Sequence, residues 1–132
     1  LQNITNFESL IKTGKLMGKI PQAPYVPLKI QRIIKKACNP SPEKRYHSAT
    51  EMRNSLEKIH FLYNWSMCDT YHWIGLSNGL PKKDIFLEMK RKSIDVVVKN
   101  NGRRSSSDSK NFFTLEEAKA YLFEYIRSTT IQ

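Results

Sequence analysis

Pro40 and Pro42, set between two amphipathic runs, constrain most what this chain can fold into. Each proline lacks a backbone N–H and disfavours the α conformation in the residue before it, so no helix runs through Asn39-Pro40-Ser41-Pro42-Glu43-Lys44-Arg45. The stretch from Leu28 to Ile59 therefore divides into two helices joined by a sharp, rigid corner. In the first, Ile30, Ile33, Ile34 and Ala37 recur at helical spacing, while Lys29, Arg32, Lys35 and Lys36 fall mostly on the other side. The second opens on a capping box, Ser48-Ala49-Thr50-Glu51. The Ser48 hydroxyl accepts from the third helical N–H, and the Glu51 carboxylate reaches back to the cap. Ala49, Met52, Leu56 and Ile59 give this helix its apolar face.

Upstream, Thr5-Asn6-Phe7-Glu8 predicts another capping box, followed by a short stripe of Phe7, Leu10 and Ile11. Gly14 can close that helix as the left-handed residue beyond its end. Residues 15–27, with Pro21, Pro24 and Pro27, predict an irregular, stiff connection anchored by Ile20, Tyr25 and Val26. Pro27 suits the first turn of the next helix.

These residues resemble the end of the catalytic domain of bacterial, eukaryotic-like serine/threonine protein kinases. There, a helix ending in a small-residue pair leads into an Asn/Asp-x-x-Pro-x-x-Arg-Tyr/Phe turn and a Ser-Ala-x-Glu opening to the last helix. The corresponding residues are Ala37-Cys38, Asn39 to Tyr46, and Ser48 to Glu51. The likeness extends upstream through Gly14-Lys15 and the Pro21 to Pro27 segment, covering residues 1 to about 60. It implies that the three helices are the last three of a kinase C-lobe, and that Arg45 is buried there against a glutamate absent from this chain. Structural roles fall to Arg45, Ser48 and Glu51, with Arg45 holding the lobe together. ATP and Mg²⁺ are implied for the parent enzyme. The Gly-rich loop, strand lysine, catalytic-loop Asp and Asn, and Asp-Phe-Gly that phosphoryl transfer needs do not occur in this sequence, so the segment alone carries neither catalytic residues nor a cofactor.

Beyond Ile59 the pattern changes. Phe61, Leu62, Tyr63 and Trp65 either extend the last helix or tether it to the second half of the chain. Tyr71 to Leu76 predicts a short strand ended by Ser77-Asn78-Gly79 and Pro81. Ile85, Leu87 and Met89 alternate along Asp84 to Lys90, as do Ile94, Val96 and Val98 between Ser93 and Lys99. This alternation predicts two paired strands turning at Arg91-Lys92. Asn100-Asn101-Gly102 is a hairpin signal. Arg103 to Lys110 reads as a loop that becomes a strand only near Asn111 to Phe113. Thr114-Leu115-Glu116-Glu117 is a third capping box, with Phe113 placed to staple against Ala118. Leu115, Ala118, Leu122, Tyr125 and Ile126 form the stripe of a terminal helix.

The whole predicts an α+β chain: a helical segment over residues 1–62, then a small antiparallel β-β-(β)-α module over 63–132 whose sheet is covered by the C-terminal helix. Its 132 residues allow one ordinary domain or two very small ones, and a start at Leu1 suits a fragment. The net charge is +10. Residues 1–60 carry eleven basic and four acidic side chains, and residues 61–132 eleven and eight. Part of the first half's excess would be matched by acidic surface on the remainder of a kinase domain, the partner the resemblance implies. Cys38 and Cys68 form no disulfide framework, and no apolar run suits a signal sequence or a membrane span, so a reducing cytoplasm is the default. His47, His60 and His72 are scattered, and Cys68 with His72 lacks the second ligand pair zinc needs. No metal site is expected.

Two features of the second half invite function. Lys90, Arg91 and Lys92 at one turn, with Lys99, Arg103 and Arg104 at another, are candidates for an anion or nucleic-acid patch, with Trp73, Tyr71 or Phe112 as stacking partners. Charged hairpin tips also simply keep sheet ends soluble, and Asp84, Glu88, Asp95 and Asp108 dilute the field. The run Ser105, Ser106, Ser107, flanked by Arg103, Arg104 and Lys110, is either a phosphorylation site or a solvated loop. The sequence thus favours the terminal piece of a serine/threonine protein kinase with an appended module that binds a protein substrate, a regulator or the kinase's own lobe. The alternative is a non-enzymatic, basic α+β nucleic-acid-binding protein.

Overall fold

A computed structural model describes residues 2–18 and 21–132, and only the backbone of residues 2–6 and 17. The chain is α+β and divides into two compact units, Leu1–Ile59 and His60–Gln132.

The first unit holds α1 (Gln2–Lys12), α2 (Leu28–Ala37) and α3 (Ala49–Glu57). Because α1 begins at Gln2, Thr5 lies inside it and does not cap it. Its other end follows the expected pattern. Gly14 takes φ +66°, its N–H bonds the Ile11 carbonyl, and the Lys15 N–H bonds that of Leu10, which together close the last turn. A Cβ on Gly14 would also come within 3.4 Å of the Pro40 backbone. Pro27 is the N-cap of α2, one place earlier than expected, and its carbonyl accepts the Gln31 N–H. Val26 and Tyr25 are half-buried along the connection, whereas Ile20 lies outside the described residues.

Between α2 and α3 the two prolines produce the corner. The Asn39 side chain accepts the Ser41 N–H at 3.0 Å, and Pro42–Lys44 form a single 3₁₀ turn closed by Arg45 N–H on the Pro42 carbonyl. Of the apolar stripe expected on α2, Ile33 alone is buried, and α3 buries none of its residues. Leu28 is 53 % exposed and Leu56 45 % exposed, and Ala49 also faces solvent.

The second unit is one antiparallel sheet with a helix on one face. Its strands are β1 (Asn64–Asp69), β2 (His72–Ser77), β3 (Leu80–Met89), β4 (Ile94–Asn100), β5 (Arg103–Arg104) and β6 (Lys110–Phe112), followed by α4 (Leu115–Thr130). They lie in the order β1-β2-β3-β4-β5, with β6 also on β4. Asn64 to Asp69 forms an edge strand where the sequence predicted a helix extension or a tether. The Phe61 bridge to Ile131, and Leu62 N–H on the Thr130 carbonyl, bind the segment to the end of α4. Asn101 at φ 50° and Gly102 at φ 80° make the tight β4-β5 turn that Asn-Gly predicts. Arg103 and Arg104 pair with Asn100 and Lys99, so the hairpin exists as a two-residue strand within what was expected to be loop.

Register and alternation define the two faces. Trp73, Ile85 and Val98 share one row, and Leu87 and Val96 the next. With Ala118, Leu122 and Ile126 of α4 they form the core, in which Ile85, Val96, Val98, Ala118 and Leu122 have no exposed surface. The opposite face carries His72, Phe86 and Val97 in one row, and Asp84 with Lys99 in another. Thr114 caps α4, accepting the Glu117 N–H at 3.3 Å. Phe113 does not staple onto the helix: it is 82 % exposed.

Candidate functional site

The corner of the first unit is held by its own side chains. The Arg45 Nε donates to the Asn39 carbonyl at 2.6 Å, and a second guanidinium nitrogen donates to the Pro40 carbonyl at 3.4 Å. These bonds satisfy two carbonyls of the corner, where the backbone has left the helix. Arg45 is exposed, and it makes no ion pair among the described residues. Ser48 accepts the Glu51 N–H at 3.1 Å, as a cap should. Glu51 reaches back one residue further than the usual box, accepting the His47 N–H at 2.8 Å, and its other oxygen accepts Lys36 Nζ at 2.6 Å. Those bonds, the Lys36 bond first, hold the Glu51 carboxyl below its ordinary pKa. Lys36 also lies 4.2 Å from the Tyr46 ring centroid, so the cation ties the end of α2 to two residues beyond the turn. Along α2, a groove of about 680 Å³ is lined by Leu28, Gln31, Ile34, Lys35, Cys38 and Pro40, among others.

In the second unit the six expected cations do not form one patch. Lys90, Arg91 and Lys92 sit at the turn before β4, and Arg103 and Arg104 come after its far end. Asp95 explains part of their arrangement. Its carboxylate, 6 % exposed, accepts Lys90 Nζ at 2.5 Å, Asn111 Nδ2 at 2.5 Å and Arg104 at 3.2 Å. The bonds from Lys90 and then Asn111 hold its pKa down to about 2. Arg104 starts beside Lys99 and ends on Asp95, so its side chain runs past Val97, which lies between those two positions on the same face and is 3 % exposed. Arg91 and Lys92 are exposed at the turn, and Arg103 is exposed beside Asn100.

The expected stacking residues lie elsewhere. Trp73 is buried in the row of Ile85 and Val98, Phe112 packs on Tyr121 of α4 with centroids 5.5 Å apart, and the Tyr71 ring takes Lys119 at 5.5 Å. The aromatic on the open face is Phe86, with Lys99 Nζ 5.0 Å from its centroid and the His72 ring edge-on at 5.6 Å. His72 Nε2 lies 2.7 Å from Asp84 Oδ1. Phe86 was legible as the odd member of the Ile85, Leu87, Met89 alternation.

A second cluster missed in the sequence surrounds Lys83, whose ammonium donates to Tyr125 Oη at 2.7 Å and Asn100 Oδ1 at 2.9 Å. The Tyr63 and Tyr125 rings lie 5.4 and 5.3 Å from it. Burial pushes the Lys83 pKa below its ordinary value, the Asp108 charge opposing, and burial likewise pushes the Tyr125 phenol far above its own. In the serine run, Ser105 Oγ donates to Asp108 at 2.9 Å and Ser107 Oγ to its other oxygen at 3.5 Å.

No protein-family model matches the chain, and comparison with curated proteins and with solved structures finds no match. Among the described residues no helix is long and apolar enough to cross a membrane.

Proposed function

We propose that the first unit is the closing helices of a serine/threonine protein kinase C-lobe and the second an accessory module that binds a protein substrate, a regulator or the kinase's own lobe. The parent transfers the γ-phosphate of ATP, with Mg²⁺, to protein serine or threonine, using residues that lie outside this chain. What carries the reading is the build of the corner: Arg45 clasps the Asn39 and Pro40 carbonyls directly before a helix capped by Ser48 and Glu51. The outer edge of the Arg45 guanidinium is left for the glutamate carboxylate that the resemblance pairs with it. Further support comes from apolar surface. Phe7, Ile11, Leu28 and Leu56 are all exposed, apolar surface of the kind that the rest of a kinase lobe would cover. The coding sequence ahead of Leu1 tests this reading. It is expected to encode a catalytic-loop Asp, an Asp-Phe-Gly and an Ala-Pro-Glu-like segment, and a frame without them removes the enzyme.

A second reading, nucleic-acid binding, draws on the open sheet face, where Lys99 and His72 flank Phe86. Asp95 weakens it by occupying Lys90 and Arg104. Mobility shift of duplex and single-stranded DNA at low salt tests it, and no shift at micromolar protein removes it.

A further inference from the structure

We propose that Ser106 is a phosphoacceptor for an arginine-directed protein kinase, and that its phosphate draws Arg104 away from Asp95. The run of three serines is not uniform. Ser105 Oγ is bonded to Asp108 and lies 3.1 Å from Ser107 Oγ, and Ser107 Oγ also reaches Asp108. Ser106 is exposed, and its hydroxyl makes no hydrogen bond among the described residues. The turn that carries it is anchored at both ends. Ser105 N–H donates to the Val98 carbonyl at 2.8 Å, Ser109 N–H donates to the Ser105 carbonyl at 3.0 Å, and Ser109 Oγ accepts the Val98 N–H at 3.0 Å. Ser106 therefore stands at a fixed, protruding tip. Arg103 and Arg104, three and two residues before it, are both exposed and offer charge to a kinase whose substrate cleft is acidic.

The reaction is ordinary phosphoryl transfer. Ser106 Oγ attacks the γ-phosphorus of a nucleoside triphosphate, the Oγ–P bond forms as the P–O bond to the β-phosphate breaks, the nucleoside diphosphate leaves, and the kinase's base takes the hydroxyl proton. The product places close to two negative charges, with three acceptor oxygens, two residues from Arg104. Asp108 repels that phosphate, while Arg103, Arg104 and Lys110 are the cations nearest in sequence. Arg104 is the partner Asp95 can best release. Its bond is the longest of the three, and Lys90 and Asn111 remain at 2.5 Å to satisfy the buried carboxylate. Its departure uncovers Val97 beside Phe86 on the face of the sheet opposite α4, so that modification at the tip changes what that face presents.

The inference stands apart from the kinase reading of the first unit, because its test uses a separate kinase. The folded 132-residue chain and a synthetic peptide spanning residues 100–112 are each incubated with a purified arginine-directed serine/threonine kinase and Mg-ATP, then mapped by mass spectrometry. One phosphate is expected on Ser106 of the folded chain, lost in Ser106→Ala and kept in Ser107→Ala. In the phosphorylated chain, the Asp95 carboxyl followed by NMR is expected to titrate at higher pH than in the unmodified one. A phosphate confined to Ser105 or Ser107, a peptide modified while the folded chain is not, or modification of neither, each overturns the acceptor assignment. An Asp95 titration that phosphorylation leaves unmoved overturns the transfer of Arg104.

Discussion

Lys36 Nζ lies 2.6 Å from Glu51 Oε1, and this one contact spans the corner between α2 and α3. Both side chains are partly exposed, so the ion pair itself is worth little in water. Its position matters more, because Glu51 also accepts the His47 N–H and its own N–H is held by Ser48. The start of α3 is thus fixed by one cap and one carboxylate with two duties. Ser48→Ala is expected to destabilise the first unit by about 1 kcal/mol through loss of the cap. Thermal unfolding followed by circular dichroism checks this. A midpoint equal to the parent chain's shows that the cap contributes nothing to the corner.

Arg45→Ala is expected to lower the thermal midpoint as well. It leaves the Asn39 and Pro40 carbonyls without the donor that closes the turn, at a cost of about 1 kcal/mol, since both can turn to solvent. Arg45→Lys should recover part of the loss, because an ammonium can reach one carbonyl but not hold both in a planar fork. An unchanged midpoint in Arg45→Ala shows that the prolines alone hold the corner.

Asp95 links the second unit to acid. Its pKa falls from an ordinary 3.8 to about 2 in the folded chain, so the stabilisation is complete above 3.8 and is lost as pH drops through about 2. The amount is on the order of 2 kcal/mol, less at high salt because the Lys90 and Arg104 side chains are half-exposed. Urea unfolding of the parent chain and of Asp95→Asn at pH 5 and pH 2 reads it directly. The gap between the two is expected to narrow at the lower pH, and a constant gap contradicts the assignment.

Gly75 is where β2 passes under the Trp65 indole. A Cβ there would meet Trp65 ring atoms at 3.2 and 3.3 Å and Lys83 Cβ at 3.2 Å. Trp65 has little room to retreat, being flanked by Tyr63 and Tyr125 with centroids 6.2 and 6.3 Å away. Gly75→Ala is expected to cost about 1–3 kcal/mol and to shift the tryptophan emission. A chain of parent stability and unchanged emission shows that the indole moves freely.

Periodicity made much of this fold legible. Ile85, Leu87, Ile94, Val96 and Val98 declare one face of β3 and β4, and Ala118, Leu122, Tyr125 and Ile126 declare the stripe of α4 that covers it. Capping chemistry located the starts of α3 and α4, because those bonds are local. It failed at Thr5, where helix continues upstream, and at Phe113, which turns away from α4. Asn64 to Asp69 gave no strand signal, since an edge strand buries almost nothing and needs only β2 for its bonds. The candidate sites were legible as residue types but not as partners. That Asp95 gathers Lys90, Arg104 and Asn111, and that Lys83 reaches Tyr125, depends on register and on the packing of a helix 42 residues away in sequence.

The kinase reading rests on the corner at Asn39 to Arg45 belonging to a phosphotransferase lobe. The most direct measurement is transfer of labelled γ-phosphate from ATP to a protein substrate by the product of the complete reading frame, purified with and without the Arg45→Ala change. Mg²⁺-dependent labelling of serine or threonine by the parent protein is expected, with a lower thermal midpoint in the variant. A complete product that transfers no phosphate under any divalent cation, yet binds duplex DNA at low salt, contradicts the reading.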